Sequence, residues 1–509
     1  MPKNQSCNAQ ATILWMVFML GMVSAFSCLL ANNARSESRQ NVLMIFVDDL
    51  RPALGCYGDP IVKSPHIDRF ASTARVFRKA YCHQSVCGPS RTSILTGKLP
   101  DNTGVWHNRN QFRAMHPELV TLPQWFMQNG YHTQSLGKVF SGDERELDPT
   151  SWSVSEVLKE QGWKNYALSR DKDSGKGLPF EYADVDDNGY SDGKLADLAV
   201  QKLAELKNKS NPFFLAVGFF KPHLPFNAPR KYWDLYDGQN FLTQTNRERT
   251  AGAPDFAYPD HLELAGYLGI PSDERTSPEQ TRDLRHGYYA CISYVDAQIG
   301  KVLHALEQQG LEKNTIVILL GDHGYSLGEA QHWCKDTNFE LDTRVPLIIR
   351  VPGEKPGSST SMIEYVDIYP TLSELAGLTI PANLDGKSFV PVLRDANYGH
   401  RDFVLSQFSR PFRSGNPELM GYSIRTKGYR YTRWIKWDTR DLLAEELYDY
   451  QSKSSVERDT CYEIETRNLV NEPQYTQTLT QLRQDMDTAL SSRIKPVKWV
   501  QENRRPKKK

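Results

Sequence analysis

Cysteine is scarce in this chain, with eight in 509 residues. That is too few to staple a protein of this length, so the fold must rest on an apolar core rather than a disulfide framework. An excess of charge of either sign is also missing. Lysine plus arginine number 61 and aspartate plus glutamate number 61. A nucleic-acid binder needs a basic surplus to displace phosphate counterions, and none is present. A mean hydropathy of −0.55 leaves no room for a polytopic membrane protein. There is no internal repeat and no low-complexity tract. What remains is globular composition, 39% apolar and 24% charged, over a length that suits two or three domains.

One long apolar run does occur, from residue 11 to residue 31, behind Lys3 and ahead of Asn32-Asn33-Ala34-Arg35. It reads as an export signal over residues 1–34, and it is also long enough to serve as a membrane anchor if retained. The expected location is therefore an exported compartment: periplasmic, secreted or lysosome-like. Cys56, Cys82, Cys87, Cys291, Cys334 and Cys461 follow it, and no pairing among them can be read from their spacing.

The next stretch, residues 41–47, is an unbroken apolar run of strand length. Such a run implies a strand buried on both faces, as in a parallel sheet covered by helices. Residues 213–220, 315–320 and 345–351 have the same texture, and residues 133–137 form a weaker strand. Between them lie helical patterns, clearest at 277–309. There Ser277, Pro278 and Gln280 make a capping box, and Tyr288, Ile292, Val295, Ile299, Val302 and Leu306 form one stripe. The expectation is an α/β fold with a mostly parallel central sheet sandwiched by helices, spanning residues 35–395. Residues 396–509 change texture, with aromatic alternating strands at 422–426 and 429–434 around Lys427-Gly428, a strand at 446–449, and a helix carrying Leu479, Leu482, Met486 and Leu490. This predicts a smaller α+β domain. The basic end of the chain reads as a solvated tail.

Open α/β sheets bind ligands beyond the carboxyl ends of their strands. Four of these runs end in ionisable residues: Asp48-Asp49, Lys138, Lys221-Pro222-His223 and Asp322-His323. Adjacent carboxylates repel, and a cation relieves the repulsion. Asp48, Asp49, Asp322 and His323 make an oxygen-rich set that favours Ca²⁺ or, second, Mg²⁺ over zinc. Cys87-Gly88-Pro89-Ser90-Arg91 reads as the first turn of a helix, which places Cys87 at a positive dipole end expected to lower its thiol pKa. The spacing to Arg91 is two residues too short for a phosphatase cysteine loop, and Ser93 stands where its arginine would be.

That pentapeptide, with Leu95-Thr96-Gly97 beyond it, resembles the signature of the type I sulfatases of the alkaline-phosphatase-like superfamily. Val47 to Arg51, Gly55-Cys56-Tyr57-Gly58, Gly137-Lys138-Val139-Phe140, residues 221–226, Asp322-His323-Gly324 and the hairpin around residues 421–432 are similar to the iduronate-2-sulfatase branch in particular. Residues 146–200 and 231–275 match weakly.

The resemblance implies that a formylglycine-generating or anaerobic sulfatase-maturating enzyme converts Cys87 to formylglycine, whose hydrate attacks sulfur. Cys87 then joins Asp48, Asp49, Asp322 and His323 around Ca²⁺. Arg91 steadies the diol; Lys138, His223 and Lys335 neutralise sulfate; and His223 or Lys335 protonates the leaving oxygen. The expected substrate is a sulfated saccharide carrying a 2-O-sulfated uronic acid, with Arg109, Arg113 and Arg425 as candidates for its carboxylate. The pattern departs from that branch in two places. Ser141 stands where a histidine is expected, leaving His107, His116 or His332 to replace it, and Tyr325 stands where the related enzymes carry tryptophan. Two other readings compete: a phosphodiester or phosphonate monoester hydrolase on the same scaffold, and a non-catalytic binder of sulfated polysaccharide.

Overall fold

The computed structural model describes residues 39–141, 148–154, 164–168, 177–241, 248–412, 417–451 and 465–494. The apolar run at 11–31 and Cys461 lie outside the described residues. Among those residues, no helix is long and apolar enough to cross a membrane.

Residues Asn41–Lys509 cluster as one compact unit. Its main sheet has seven strands: β1 (Asn41–Val47), β2 (Arg75–Tyr81), β3 (His132–Gly137), β4 (Phe213–Phe219), β5 (Thr315–Gly321), β6 (Arg344–Arg350) and β7 (Gly357–Glu364). Their order is β7-β2-β6-β5-β1-β4-β3. β1, β3, β4 and β5 run parallel, and β6 runs antiparallel to both of its neighbours. The sheet is thus mixed, and residues 345–351, expected among the parallel strands, belong to its reversed member.

The unbroken apolar run of β1 has a direct physical reading. Leu43, Ile45 and Val47 face one core, which includes helix α1 (Pro65–Ser72) and the long helices α3 (Ser191–Leu206) and α4 (Pro278–Gln308). Val42, Met44 and Phe46 face a second core with Ile94 and Leu95 of helix α2 (Cys87–Thr96). Every β1 residue therefore buries its side chain, at about 1.5–3 kcal/mol for each large apolar one. Ser277 and Gln280 close the α4 capping box, and all six residues of its predicted stripe are fully buried.

Register sets the site. Val47 pairs with both Phe219 and Gly321, and Gly137 pairs with Gly218, so four strands end in one row. At the end of that row a Cβ on Gly218 would sit 1.9 Å from the Lys138 carbonyl oxygen. Only glycine allows the chain to bring Lys138 this close.

The C-terminal part builds a four-stranded antiparallel sheet from β8 (Phe403–Arg410), β9 (Leu419–Thr426), β10 (Tyr429–Lys436) and β11 (Leu442–Asp449). Helix α5 (Thr476–Arg493) lays Leu479, Leu482 and Met486 on its Met420, Tyr422 and Ile424 face. The predicted hairpin is β9–β10, and β8 was not foreseen.

Candidate active site

The turn after β1 is strained. Asp49 has φ of +59°, a region that costs a non-glycine residue energy. It is held there because its N–H donates to Asp322 Oδ1 at 3.1 Å, and the His323 N–H donates to the same oxygen at 3.0 Å. The strain turns Asp48 and Asp49 in different directions, and each takes its own lysine. Lys138 Nζ lies 2.6 Å from Asp48 Oδ2, and Lys335 Nζ lies 2.9 Å and 3.0 Å from the two oxygens of Asp49. The charge compensation that adjacent carboxylates demand is thus supplied in part by the protein itself.

Helix α2 points its first turn into this row. Cys87 is its first residue, and its Sγ lies 3.5 Å from Asp48 Oδ1, 3.3 Å from His323 Nε2 and 3.4 Å from Lys138 Nζ. One turn on, Arg91 reaches back with Nη2 to Asp48 Oδ1 at 3.1 Å and Nε to Asp322 Oδ2 at 2.8 Å. Asp322, His323, Asp48, Asp49 and Arg91 are fully buried, and Lys138, His223 and Lys335 are no more than 6% exposed. His223 comes from the loop after β4. Asp192 of α3 shapes that loop by accepting the Phe220 and Lys221 N–H bonds at 2.9 and 2.8 Å.

Ligand atoms of Asp48, Cys87, Asp322 and His323 lie within 4.8 Å of one another, as do those of Asp48, Asp49, Cys87 and His223. The donor set fits a hard cation, because two carboxylates converge on one point in each group. Burial works to raise the Asp48 pKa, but Lys138, His223, Arg91 and Lys335 together hold it well below the usual carboxylate range. His323 Nδ1 donates to the Gly324 carbonyl at 2.9 Å, leaving Nε2 toward the cluster.

One expectation about Cys87 is corrected here. The helix start does not lower its thiol pKa: burial, then Asp48, push it well above the ordinary value despite Lys138 and Lys335. The residue is 1% exposed. A buried thiol beside a carboxylate is a poor thiolate nucleophile. Lys138 and Lys335 remain cations, because burial is outweighed by Asp48 for the first and by Asp49 and Glu263 for the second. Burial pulls the His223 pKa down, with Asp49 opposing.

The structure does not bring Arg425 to this cluster. It lies on β9 with 1% exposure, its Nε 2.9 Å from Glu340 Oε2 and its guanidinium 3.5 Å over the Tyr450 ring. Tyrosine and glutamate already engage it, so it is no pocket-mouth arginine. Arg113 is likewise engaged by Asp148 at 2.5 Å. Arg109 is exposed and follows Asn108, whose Oδ1 accepts the Gly88 N–H at 2.8 Å beside Cys87. Ser141 Oγ is buried without a hydrogen-bond partner among the described residues. His332 is bonded to Asp342 and His116 to Glu118, while His107 precedes Asn108 in the loop over Gly88. Tyr325 is fully buried, stacked on Tyr288 at 5.4 Å with Lys335 Nζ 5.9 Å from its ring centre. Cys56, Cys82, Cys87, Cys291 and Cys334 are all free thiols.

Sequence reasoning missed Glu263. Its Oε2 lies 3.0 Å from Lys335 Nζ and its Oε1 lies 3.4 Å from His223 Nε2. It stands in a stretch with no strand, helix or motif pattern, so no signal in the sequence pointed to it.

A mixed sheet whose carboxyl edge gathers carboxylates, cations and the first turn of a helix has the alkaline-phosphatase-like fold. Phosphonate monoester hydrolase from Silicibacter pomeroyi shares the fold, with a TM-score of 0.72 at 24% identity over 89% of this chain and 96% of that one. So does a protein solved in complex with its substrate D-glucosamine-2-N,6-O-disulfate, with a TM-score of 0.71 at 22% identity over 89% of this chain and 98% of the other. Within that class the chain belongs to the sulfatase family, whose model matches residues 40–378, and it is a sulfatase that hydrolyses sulfate esters. A second model, N-sulphoglucosamine sulphohydrolase C-terminal, matches residues 328–492. Human iduronate 2-sulfatase is 34% identical, over 85% of this chain and 92% of that protein. Choline-sulfatase of Rhizobium meliloti is 28% identical, over 70% of this chain and 72% of that one.

Proposed function

We propose that this sulfatase is exported and removes the 2-O-sulfate of a uronic acid in a sulfated saccharide, using formylglycine at position 87 and Ca²⁺. Residues 35–395 form its catalytic domain and residues 396–509 the smaller partner. The observation that carries the chemistry is the meeting of Cys87, Asp48, Asp322 and His323 within 4.8 Å. The substrate assignment is supported by the similarity to human iduronate 2-sulfatase.

Formylglycine, installed at Cys87 by a maturating enzyme, supplies a hydrated aldehyde as nucleophile, which answers the poor thiolate that burial leaves there. Asp48, Asp49, Asp322 and His323 would hold the ion, which supplies Lewis-acid charge neutralisation. Arg91, fixed by Asp48 and Asp322, orients the group at position 87. Lys138 and Lys335 present fixed positive charge to the sulfate from either side of the Asp48–Asp49 turn, in a site dry enough to strengthen it. His223 Nδ1 donates to the Leu224 carbonyl at 2.5 Å, and either its Nε2, once protonated, or the Lys335 ammonium gives a proton to the departing sugar oxygen. Arg109 remains as the arginine for the uronate carboxylate.

Trypsin should release residues 80–91 as one peptide, and in active enzyme that peptide is expected to carry an aldehyde in place of the Cys87 thiol. Fully active enzyme with an intact thiol would end the mechanism. Sulfate release from a panel of sulfated sugars, set against hydrolysis of a phosphonate monoester, tests the substrate class. Turnover of the phosphonate without sulfate release would favour the phosphonate hydrolase reading.

A further inference from the structure

Glu263 is out of place in a site built to hold an anion. Lys335, a cation, and His223, both assigned to the sulfate, each lie against it, and a carboxylate there weakens the hold of Lys335 on any negative group. It stays ionised: burial works to raise its pKa, but Lys335 and His223 bring it to about 2. Its side chain is 21% exposed, against 7% for His223 and 6% for Lys335. It is therefore the member of this group that an arriving ligand meets first.

A second polar group waits beside it. Glu263 opens the short turn Leu264–Gly266, and Tyr267 closes it. Glu274 fixes this turn by accepting the Ala265 N–H at 2.9 Å. The Tyr267 hydroxyl is buried with no hydrogen-bond partner among the described residues, in a side chain 6% exposed. Glu263, Cys334 and Lys335 are among the groups that act on it electrostatically. An orphaned hydroxyl in such a place costs about 1–3 kcal/mol unless a ligand or water satisfies it. Glu263 can only accept a hydrogen bond, whereas Tyr267 can donate or accept. Together they match an alcohol on the ring carbon next to the sulfate ester, and a second sulfate there would meet the Glu263 carboxylate.

We infer that Glu263 and Tyr267 form a hydroxyl-recognition subsite that selects saccharides sulfated at one carbon and bearing a free hydroxyl at the adjacent carbon, and rejects adjacent disulfation. This rests on the sulfated-sugar reading above and adds the substitution pattern to it.

The test uses the mature, full-length enzyme with three probes: a 2-O-sulfated uronate disaccharide with a free adjacent hydroxyl, the same disaccharide sulfated at that hydroxyl as well, and an aryl sulfate with no hydroxyl. Wild type should prefer the first disaccharide over the second by about tenfold or more in kcat/KM. Glu263→Gln, which keeps the shape and removes the charge, should narrow that preference. Tyr267→Phe should lower the ratio of disaccharide to aryl sulfate turnover by about tenfold, mainly through KM. A merely structural role would lower both substrates together. If Glu263→Gln does not fold, the wild-type preference and Tyr267→Phe still decide. Equal turnover of both disaccharides by wild type, or ratios unchanged in both variants, overturns the inference. Sulfate release from the aryl probe alone removes the saccharide reading and the inference with it, whereas release from the singly sulfated disaccharide with no preference removes the inference alone.

Discussion

Two of the knots of buried charge among the described residues differ in how their oxygens are used. At the carboxyl edge of the main sheet, Asp48, Asp49 and Asp322 direct their oxygens at common points shared with Cys87 and histidine nitrogens. Their cations include two lysines, compact charges on flexible stems that a metal or a substrate can displace. Behind it, Glu340 and Glu465 meet Arg425 and Arg430. There each carboxylate is closed: Tyr81 donates to Glu340 Oε1 at 2.9 Å, Tyr450 to Glu465 Oε1 at 2.7 Å, and the Glu340 N–H to Glu465 Oε2 at 2.9 Å. The second knot ties β9 and β10 to the segment that leads into β6. Residue types alone do not separate the two. What separates them is whether the acceptors converge on a point that the protein leaves to a ligand.

The widest separation should come from single neutralisations. Asp48→Asn and Asp322→Asn are expected to cost about a thousandfold or more in kcat, measured as sulfate release, since each removes charge from the proposed ion and from Arg91. Arg425→Lys should leave KM for uronate sulfates where it is, because that guanidinium faces Glu340 and Tyr450. A rise in KM for uronate sulfates with aryl sulfate spared would reinstate Arg425 at the substrate.

Breaking the second knot should act on stability. Glu340→Gln leaves two buried arginines undercompensated, and an unfolding loss of about 3–5 kcal/mol is expected by chemical denaturation. The sign with pH follows from the folded-state value. Burial opposes ionisation of Glu340, but Arg425 and Arg430 depress it to about 2, below its ordinary 4.5. Its contribution is therefore full above the unfolded-state value and disappears as pH falls through about 2. The stability gap between wild type and Glu340→Gln should close over that window, and a gap that persists below it would mean packing rather than charge.

Cys87→Ala sharpens the contrast from the other side. Turnover should vanish while stability shifts by about 1 kcal/mol, because only one buried sulfur is lost. Smaller still, and remote from both knots, Ser277→Ala should cost about 1 kcal/mol by removing the α4 cap, with kcat unchanged.

Much of the first knot was legible in the sequence because it sits on strands. Asp48, Lys138, His223 and Asp322 each follow a readable strand, and register alone sets those ends in a row. Cys87 and Arg91 were legible because one helical turn places them together. Arg425 misled because alternation in a strand tells which residues share a face, not which partner that face meets. Glu340 was invisible as its partner, lying in a four-residue helix with no stripe. Glu263 and Tyr267 were illegible for a further reason: they stand on an irregular turn fixed by a side chain ten residues or so away, and no periodicity carries such a contact. The reversed direction of β6 was hidden too, since a buried strand has the same apolar texture either way.

The claim that the convergent knot is a metal-assisted sulfate site can be tested by one titration. Wild-type enzyme stripped by exhaustive chelation should release no sulfate from a 2-O-sulfated uronate and regain turnover as Ca²⁺ is added back, with Asp48→Asn failing to recover at the same concentrations. Full turnover by the stripped enzyme would contradict the account.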